Sequence, residues 1–156
     1  MTVLFSLIRT IFYVVSFKLR FPEKYYNKNV LMEDGLEFKI FRHMKLKQKK
    51  NANVGSIFIV RFKFNKYDHT KNIKLSKIPI PLIAGFSGFR DKLWMIDWKT
   101  GYWQGLYQWE SIEAIEKYKK SFVLGIMNKR SNKDTLSYKS ISDLNIEDYL
   151  KKVVVN

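Results

Sequence analysis

The sequence predicts an α+β domain over residues 54–142, with strands and helices in the order β-α-β-β-α-β. Three stretches predict it. Ser56 to Phe64 alternates, with Phe58, Val60, Phe62 and Phe64 on one face and Ile57, Ile59, Arg61 and Lys63 on the other, as a strand with two useful faces does. Phe89 to Trp98 and Tyr102 to Trp109 flank Lys99-Thr100-Gly101, whose glycine supplies the positive φ that a tight hairpin needs. Ser111 then opens an amphipathic helix, and a final short strand follows.

Residues 1–53 read as an apolar, basic helical extension and linker. In MTVLFSLIRTIFYVVSF, the residues Thr2, Ser6, Arg9 and Ser16 recur near helical spacing and draw a narrow polar stripe on a wide apolar cylinder. The stretch is shorter than the roughly 20 apolar residues of a membrane span and carries Arg9 at its centre, so a full crossing is not favoured. Lys18, Arg20 and Lys24 follow the apolar run rather than precede it, which argues against an export signal and for a cytoplasmic protein, peripheral to a membrane if the helix docks there. Two roles stay open for this helix: residues 1–28 lying on an anionic membrane surface, or packing on the protein's own core or a dimer partner. Leu36 to Leu46 alternates in part and reads as a short strand or a helix. Lys45 to Asn53, KLKQKKNAN, is the linker.

Within the domain, Ile78-Pro79-Ile80-Pro81 interrupts the first crossover, because proline lacks the helical donor and restricts the residue before it; that helix must be short or broken. The helix after Ser111 carries Glu113 and Glu116 early, Lys117, Lys119 and Lys120 late, and Ile112, Ile115, Tyr118 and Phe122 at helical spacing, an order that suits the helix dipole. A second helical piece runs through Met127, an SNKD turn follows, and Leu136 to Ile141 is the last strand before a tail at 143–156. This is the split-βαβ, ferredoxin-like pattern, in which helices cover one sheet face. The other face is apolar too, so a homodimer with sheets meeting face to face is expected.

The formal charge is +15, of which residues 1–53 carry +7, from 11 Lys/Arg against 4 Asp/Glu. The excess is therefore densest in the extension. The chain has no cysteine, and its two histidines, His43 and His69, lack the i,i+4 spacing that gathers imidazoles around a metal, so no metal site is expected. Aromatic and basic residues coexist, but the aromatics fall where a core needs them and no recognition motif accompanies them; nucleic acid is not the expected partner.

At Gly85-Phe86-Ser87-Gly88-Phe89, Lys92-Leu93-Trp94, Gly105 to Ser111 and Ala114 to Tyr118, the chain resembles the dimeric α/β-barrel superfamily, nearest its monooxygenase branch related to the antibiotic-biosynthesis monooxygenases. The resemblance spans about residues 54–142, and Ala84 stands where that pattern usually has proline. It implies a ferredoxin-like subunit forming a dimeric barrel. Its members include cofactor-free oxygenases, haem-degrading enzymes, cyclases and isomerases, so it identifies fold better than chemistry.

Trp94, Trp98, Trp103, Tyr107 and Trp109 crowd the hairpin, and Arg90, Lys92 and Trp94 share one parity there. Such an aromatic box with basic neighbours suits a planar or acidic ligand, although cross-strand packing explains much of the same pattern. The expected function is a small cofactor-independent enzyme acting on a hydrophobic, aromatic or polyketide-like molecule, by oxygenation first and cyclisation or isomerisation next. Trp94, Tyr107, Trp109 and Tyr118 would line the site, and His69, Arg61 and Lys92 would orient the ligand or move a proton. The alternative is a non-catalytic module binding a small ligand or a partner at a membrane surface.

Overall fold

The computed structural model describes residues 2–155. In chain order the elements are α1 (Val3–Val15), β1 (Leu19–Arg20), β2 (Asn29–Leu31), β3 (Glu37–Leu46), β4 (Ser56–Phe62), α2 (His69–Leu75), α3 (Ile80–Ala84), β5 (Phe89–Ile96), β6 (Trp103–Trp109), α4 (Ile112–Lys119), α5 (Phe122–Lys129), β7 (Ser137–Ile141), α6 (Ile146–Lys151) and β8 (Val154–Val155). Strands β4 to β7 form an antiparallel sheet in the order β7-β4-β6-β5, with α2–α3 and α4–α5 as its two crossovers. The β-α-β-β-α-β order expected from the sequence is present.

Local chemistry explains each boundary. The first crossover breaks between Leu75 and Ile80, at the segment before and including Pro79. The hairpin turns on Gly101 at φ +78°, while the Asp97 carboxylate accepts hydrogen bonds from the backbone N–H groups of Lys99 (2.9 Å) and Thr100 (3.3 Å). Ser111 and Ser121 each cap a helix through the side-chain oxygen, accepting from Ala114 N and Leu124 N.

The sheet divides two cores. Phe58, Val60 and Phe62 point into the larger core under the helices, whereas Ile57 and Ile59 point into a second one with Leu93, Met95 and Leu106. The sheet is also wider than expected. β3 pairs with the edge strand β5, with Leu93 opposite His43 and Met95 opposite Ile40, and β2 and β8 extend it further. The alternating stretch at 36–46, open between strand and helix in the sequence, is thus a strand.

Two expectations are corrected here. The extension is helical only over Val3–Val15; from Leu19 onward it supplies strands β1 to β3 to the same sheet, and the C-terminal tail forms α6 and β8. The second sheet face is not bare. Val30, Met32, Phe38 and Ile40 from the extension and Ile146, Tyr149 and Leu150 from α6 bury it. The physical ground for a face-to-face homodimer was an uncovered apolar face, and the chain covers that face itself.

Helix α1 does not join that cover. It packs on α3, where Thr10 Oγ1 donates to the Pro81 carbonyl and Arg9 Nη1 donates to the Gly85 carbonyl at 3.3 Å. Gly85 is required for the approach: a Cβ there would lie 1.7 Å from the Ser6 carbonyl oxygen.

Seating of α6 on the sheet gives a direct expectation. Leu150→Ala should lower the stability read by urea denaturation by about 2–5 kcal/mol, with the slope unchanged. An unchanged midpoint would mean that α6 does not bury Leu150 on the sheet.

Candidate functional site

A cavity of about 360 Å³ lies between the sheet and the helices. Strand register builds its floor. Lys92 of β5 stands opposite Tyr107 of β6, and Trp94 stands opposite Gly105, so the largest side chain on β5 faces a residue with none. A Cβ on Gly105 would meet the Tyr107 ring at 2.6 Å. The missing side chain is what leaves the ring its place. Tyr118 of α4 and Val123 and Met127 of α5 close one wall, Leu75 of α2 and Leu82 and Ile83 of α3 another, and Phe62, Phe64 and Trp103 one end. Ile78 and Ile126 line the cavity yet stay exposed to solvent, which marks its rim.

Lys92 is the chemical centre of this space. Its side chain is buried, an arrangement that costs several kcal/mol for an unpaired ammonium group. Lys92 Nζ donates to the Tyr107 hydroxyl at 2.7 Å and sits 4.0 Å from the Trp94 ring centroid and 4.2 Å from that of Tyr107. Among the described residues no carboxylate lines the cavity. Burial first, and the nearby Arg42 guanidinium second, push the Lys92 amine well below the ordinary lysine range. Burial pushes the Tyr107 and Tyr118 hydroxyls up, so they remain protonated donors. An amine able to accept a proton therefore lies beside a phenol that keeps its own.

Of the residues expected from the sequence to line the site, orient the ligand or move a proton, Lys92, Trp94, Tyr107 and Tyr118 line the cavity together. The other three do not. Arg61 points to the opposite sheet face, where its guanidinium donates to Gln104 Oε1 (Nε 3.0 Å, Nη2 2.8 Å), pairs with Asp34 and lies over Phe38. Trp109 is buried in the core behind the cavity, with ring centroids 4.6 Å from Tyr118 and 5.5 Å from Phe89. His69 stands at the hairpin end, screened from the cavity by Trp103, whose indole N–H donates to His69 Nδ1 at 2.9 Å. Indole nitrogen only donates, so Nδ1 is the acceptor. His43 faces the second core and bonds Asp91 at 2.8 Å. Among the described residues no group of three or more acidic or histidine side chains is placed to hold a metal ion.

Two cations went unnoticed in the sequence. Arg130, after α5, lines the cavity and donates to Asn72 Oδ1 at 2.8 Å. Arg42 of β3 lies over the Trp94 ring at 5.4 Å and donates to Ser76 Oγ, itself on the cavity wall, at 2.7 Å. The charge–ring contacts of Lys92, Arg42 and Arg130 all fall around one aromatic space.

The sheet order, crossovers and placement of this cavity decide the architecture. The fold is ferredoxin-like. Solved structures share it: a ferredoxin fold protein related to antibiotic biosynthesis monooxygenases from Listeria monocytogenes is 11% identical, with TM-score 0.53 over 74% of this chain and 69% of that one. A monooxygenase-like protein from Listeria innocua is 12% identical, with TM-score 0.53 over 72% of this chain and 67% of that one. A heme-degrading enzyme from Listeria monocytogenes is 14% identical, with TM-score 0.50 over 71% and 73%. No family model and no curated protein matches the chain. At these identities the likeness is one of fold. Among the described residues of this ferredoxin-like chain no histidine lines the cavity, so the donor set there does not fit a haem iron held by an imidazole.

The buried amine should show in the pH dependence of stability. Between the depressed native pKa of Lys92 and the ordinary lysine value of 10.5, the unfolded chain binds a proton that the native chain does not, so stability rises with pH, by up to about 1.4 kcal/mol per unit. Above the ordinary tyrosine range the raised hydroxyls of Tyr107 and Tyr118 reverse the slope, because the native chain then holds the extra protons. Lys92→Met should be more stable than the parent at low pH, and the gap should shrink as pH approaches 10.5. A gap independent of pH in urea titrations would show that Lys92 keeps an ordinary pKa.

Proposed function

We propose that the chain is a small, monooxygenase-like enzyme that takes a hydrophobic, aromatic or polyketide-like molecule into the cavity between sheet and helices and acts on it without a metal or a nucleotide. One observation carries this reading: Lys92 Nζ and the Tyr107 hydroxyl meet at 2.7 Å inside an aromatic cavity of about 360 Å³ that, among the described residues, no carboxylate lines. A volume of that size falls in the range of small-molecule sites. The rings of Trp94, Trp103 and Tyr107 suit a flat ligand, and the cations around them suit one with an acidic phenol, enol or carboxyl group.

The first chemical step follows from the environment. Lys92 accepts a proton from the acidic group of the bound ligand, and Tyr107, still protonated, donates a hydrogen bond to the oxygen on which charge develops. The resulting electron-rich ligand can reprotonate elsewhere, which is isomerisation, or attack its own carbonyl, which is cyclisation. In oxygenation it gives two electrons to dioxygen and forms a C–OOH group, which loses water as the remaining C–H and the O–O bond break; overall a ligand CH2 and O2 become C=O and H2O, four electrons passing to dioxygen. Oxygenation is the leading reaction of the three. Lys92 serves as base and Tyr118 as wall in each, whereas Arg61, His69 and Trp109 have no place at the ligand.

A panel of naphthols, anthrones and aromatic acids, read by tryptophan fluorescence and by mass spectrometry of products under air and under nitrogen, tests this. The parent should bind members of the panel in the micromolar range and convert some of them, and Lys92→Met should lower the rate at least 100-fold while still binding neutral members. Compounds that neither bind nor change would overturn the reading. Binding without conversion would make the cavity a ligand-holding module, the second reading, which the outward apolar face of α1 favours.

A further inference from the structure

Helix α1 is seated the wrong way round for water. Ser6 and Thr10, two members of its polar side, are buried against α3, and Arg9 donates to Gly85 from the same side. Leu4, Phe5, Ile8, Ile11, Phe12 and Val15 point outward, each more than half exposed, and Phe17 just beyond the helix is 83% exposed. Fixed contacts hold this orientation: the bond from Thr10 to the Pro81 carbonyl and the Gly85 position where no Cβ fits. An amphipathic helix packed in water turns its apolar side inward. Here the protein keeps the polar stripe and presents the apolar cylinder, a contiguous patch of the kind that marks an interaction surface.

The surroundings say what covers it. Lys18 and Arg20 follow the helix directly, and the short β1–β3 pairing sets Arg20 opposite Lys45 and bonds Lys47 N to the Lys18 carbonyl. Lys18, Lys47, Lys49 and Arg90 line one groove at this end of α1, with Glu110 the only carboxylate in its lining among the described residues. Glu147 offsets Lys24 and Lys45 at one side, at 3.3 and 3.8 Å. A wide apolar face bordered by net positive charge is complementary to a surface that is apolar inside and negative at its rim. A second copy of this chain, itself at +15, offers the same positive border and no negative one to match it. Thirteen helical residues at about 1.5 Å each span about 20 Å, short of the ~30 Å hydrocarbon core, and no helix among the described residues is long and apolar enough to cross a membrane.

We propose that α1 is a membrane-docking helix that lies in the interface of an anionic lipid bilayer, apolar face in the acyl region and Lys18, Arg20, Lys47 and Lys49 on the headgroups. The helix is a rigid part of the molecule rather than a loose anchor, because its polar stripe is bonded to α3. Since Leu82 and Ile83 of α3 also wall the cavity, docking holds the body of the protein, with its cavity, at the lipid surface. The proposal is independent of whether the cavity is catalytic.

Co-sedimentation of the full chain with vesicles of phosphatidylcholine alone, and of phosphatidylcholine mixed with an equal amount of phosphatidylglycerol, tests it. Binding to the anionic vesicles should exceed binding to the neutral ones by roughly tenfold or more and should fall as salt is added. Ile8→Glu with Phe12→Glu, both on the exposed face, should abolish binding while leaving the circular dichroism spectrum and thermal midpoint unchanged; Lys47→Glu with Lys49→Glu should remove the preference for anionic lipid. Equal binding to both vesicle types, no binding to either, or a doubly substituted variant that binds like the parent would overturn the proposal. Self-association in the absence of lipid that the Ile8→Glu, Phe12→Glu pair abolishes would also overturn it, and would assign the face to a second copy.

Discussion

Every residue of β5 is buried, and from that single constraint the rest of the structure follows. A pleated strand sends alternate side chains to opposite faces, so a strand with no exposed position requires cover on both sides and a neighbour along each edge. β6 supplies one neighbour through the hairpin, and β3, more than forty residues earlier, supplies the other. The helices cover one face. The chain's own ends cover the second, with Phe38 and Ile40 from one side of the sequence and Tyr149 and Leu150 from the other. A ferredoxin-like unit thereby has its second apolar face turned into an internal core.

The same constraint explains where the cavity lies. Side chains from β4, β5 and β6 fill the larger core, but at Gly105 the sheet contributes no volume, and the broken crossover between Leu75 and Ile80 sets two short helical pieces, α2 and α3, over it rather than one long helix. Space remains that Trp94 and Tyr107 line rather than fill. Into it projects Lys92, at a cost in stability that a wholly apolar side chain would avoid. Like the outward apolar face of α1, this is a place where the molecule departs from what folding alone favours. Such departures concentrate where function lies.

Much of this was legible from local pattern. Alternation across Ser56 to Phe64 sorted the side chains of β4 into the two cores, Gly101 marked the hairpin, Ser111 the helix start, and the two prolines the broken crossover. Parity also placed Lys92 and Trp94 on one face, while the hairpin register that sets Tyr107 opposite Lys92 came from the structure. Parity alone already set Arg61 with Ile57 and Ile59, away from Phe58, and read across to β6 it separates Arg61 from Lys92. Trp109 shares the parity of Tyr107 but lies at the strand end, where Phe86 and Phe89 close over it; periodicity carries no information on depth along a strand. Ser76 and Arg130 line the cavity, and Arg42 bonds its wall, through tertiary contacts alone, and the β3–β5 pairing that positions Arg42 is long-range, so no local spacing announces it. The expectation of a bare second face failed for the same reason: what covers that face comes from segments distant in sequence.

The central claim is that the chain's own ends, not another molecule, complete the sheet and its second core. Native-state hydrogen exchange measures this most directly, because strands buried in one cooperative unit exchange through one opening reaction. The account predicts that the amides of β3 bonded to β5 are protected to the same free energy as those between β5 and β6, and that protection stays constant as protein concentration is raised. Rapid exchange in β3 and α6 beside a protected β5–β6 hairpin, or protection on the second face that grows with concentration, would contradict it.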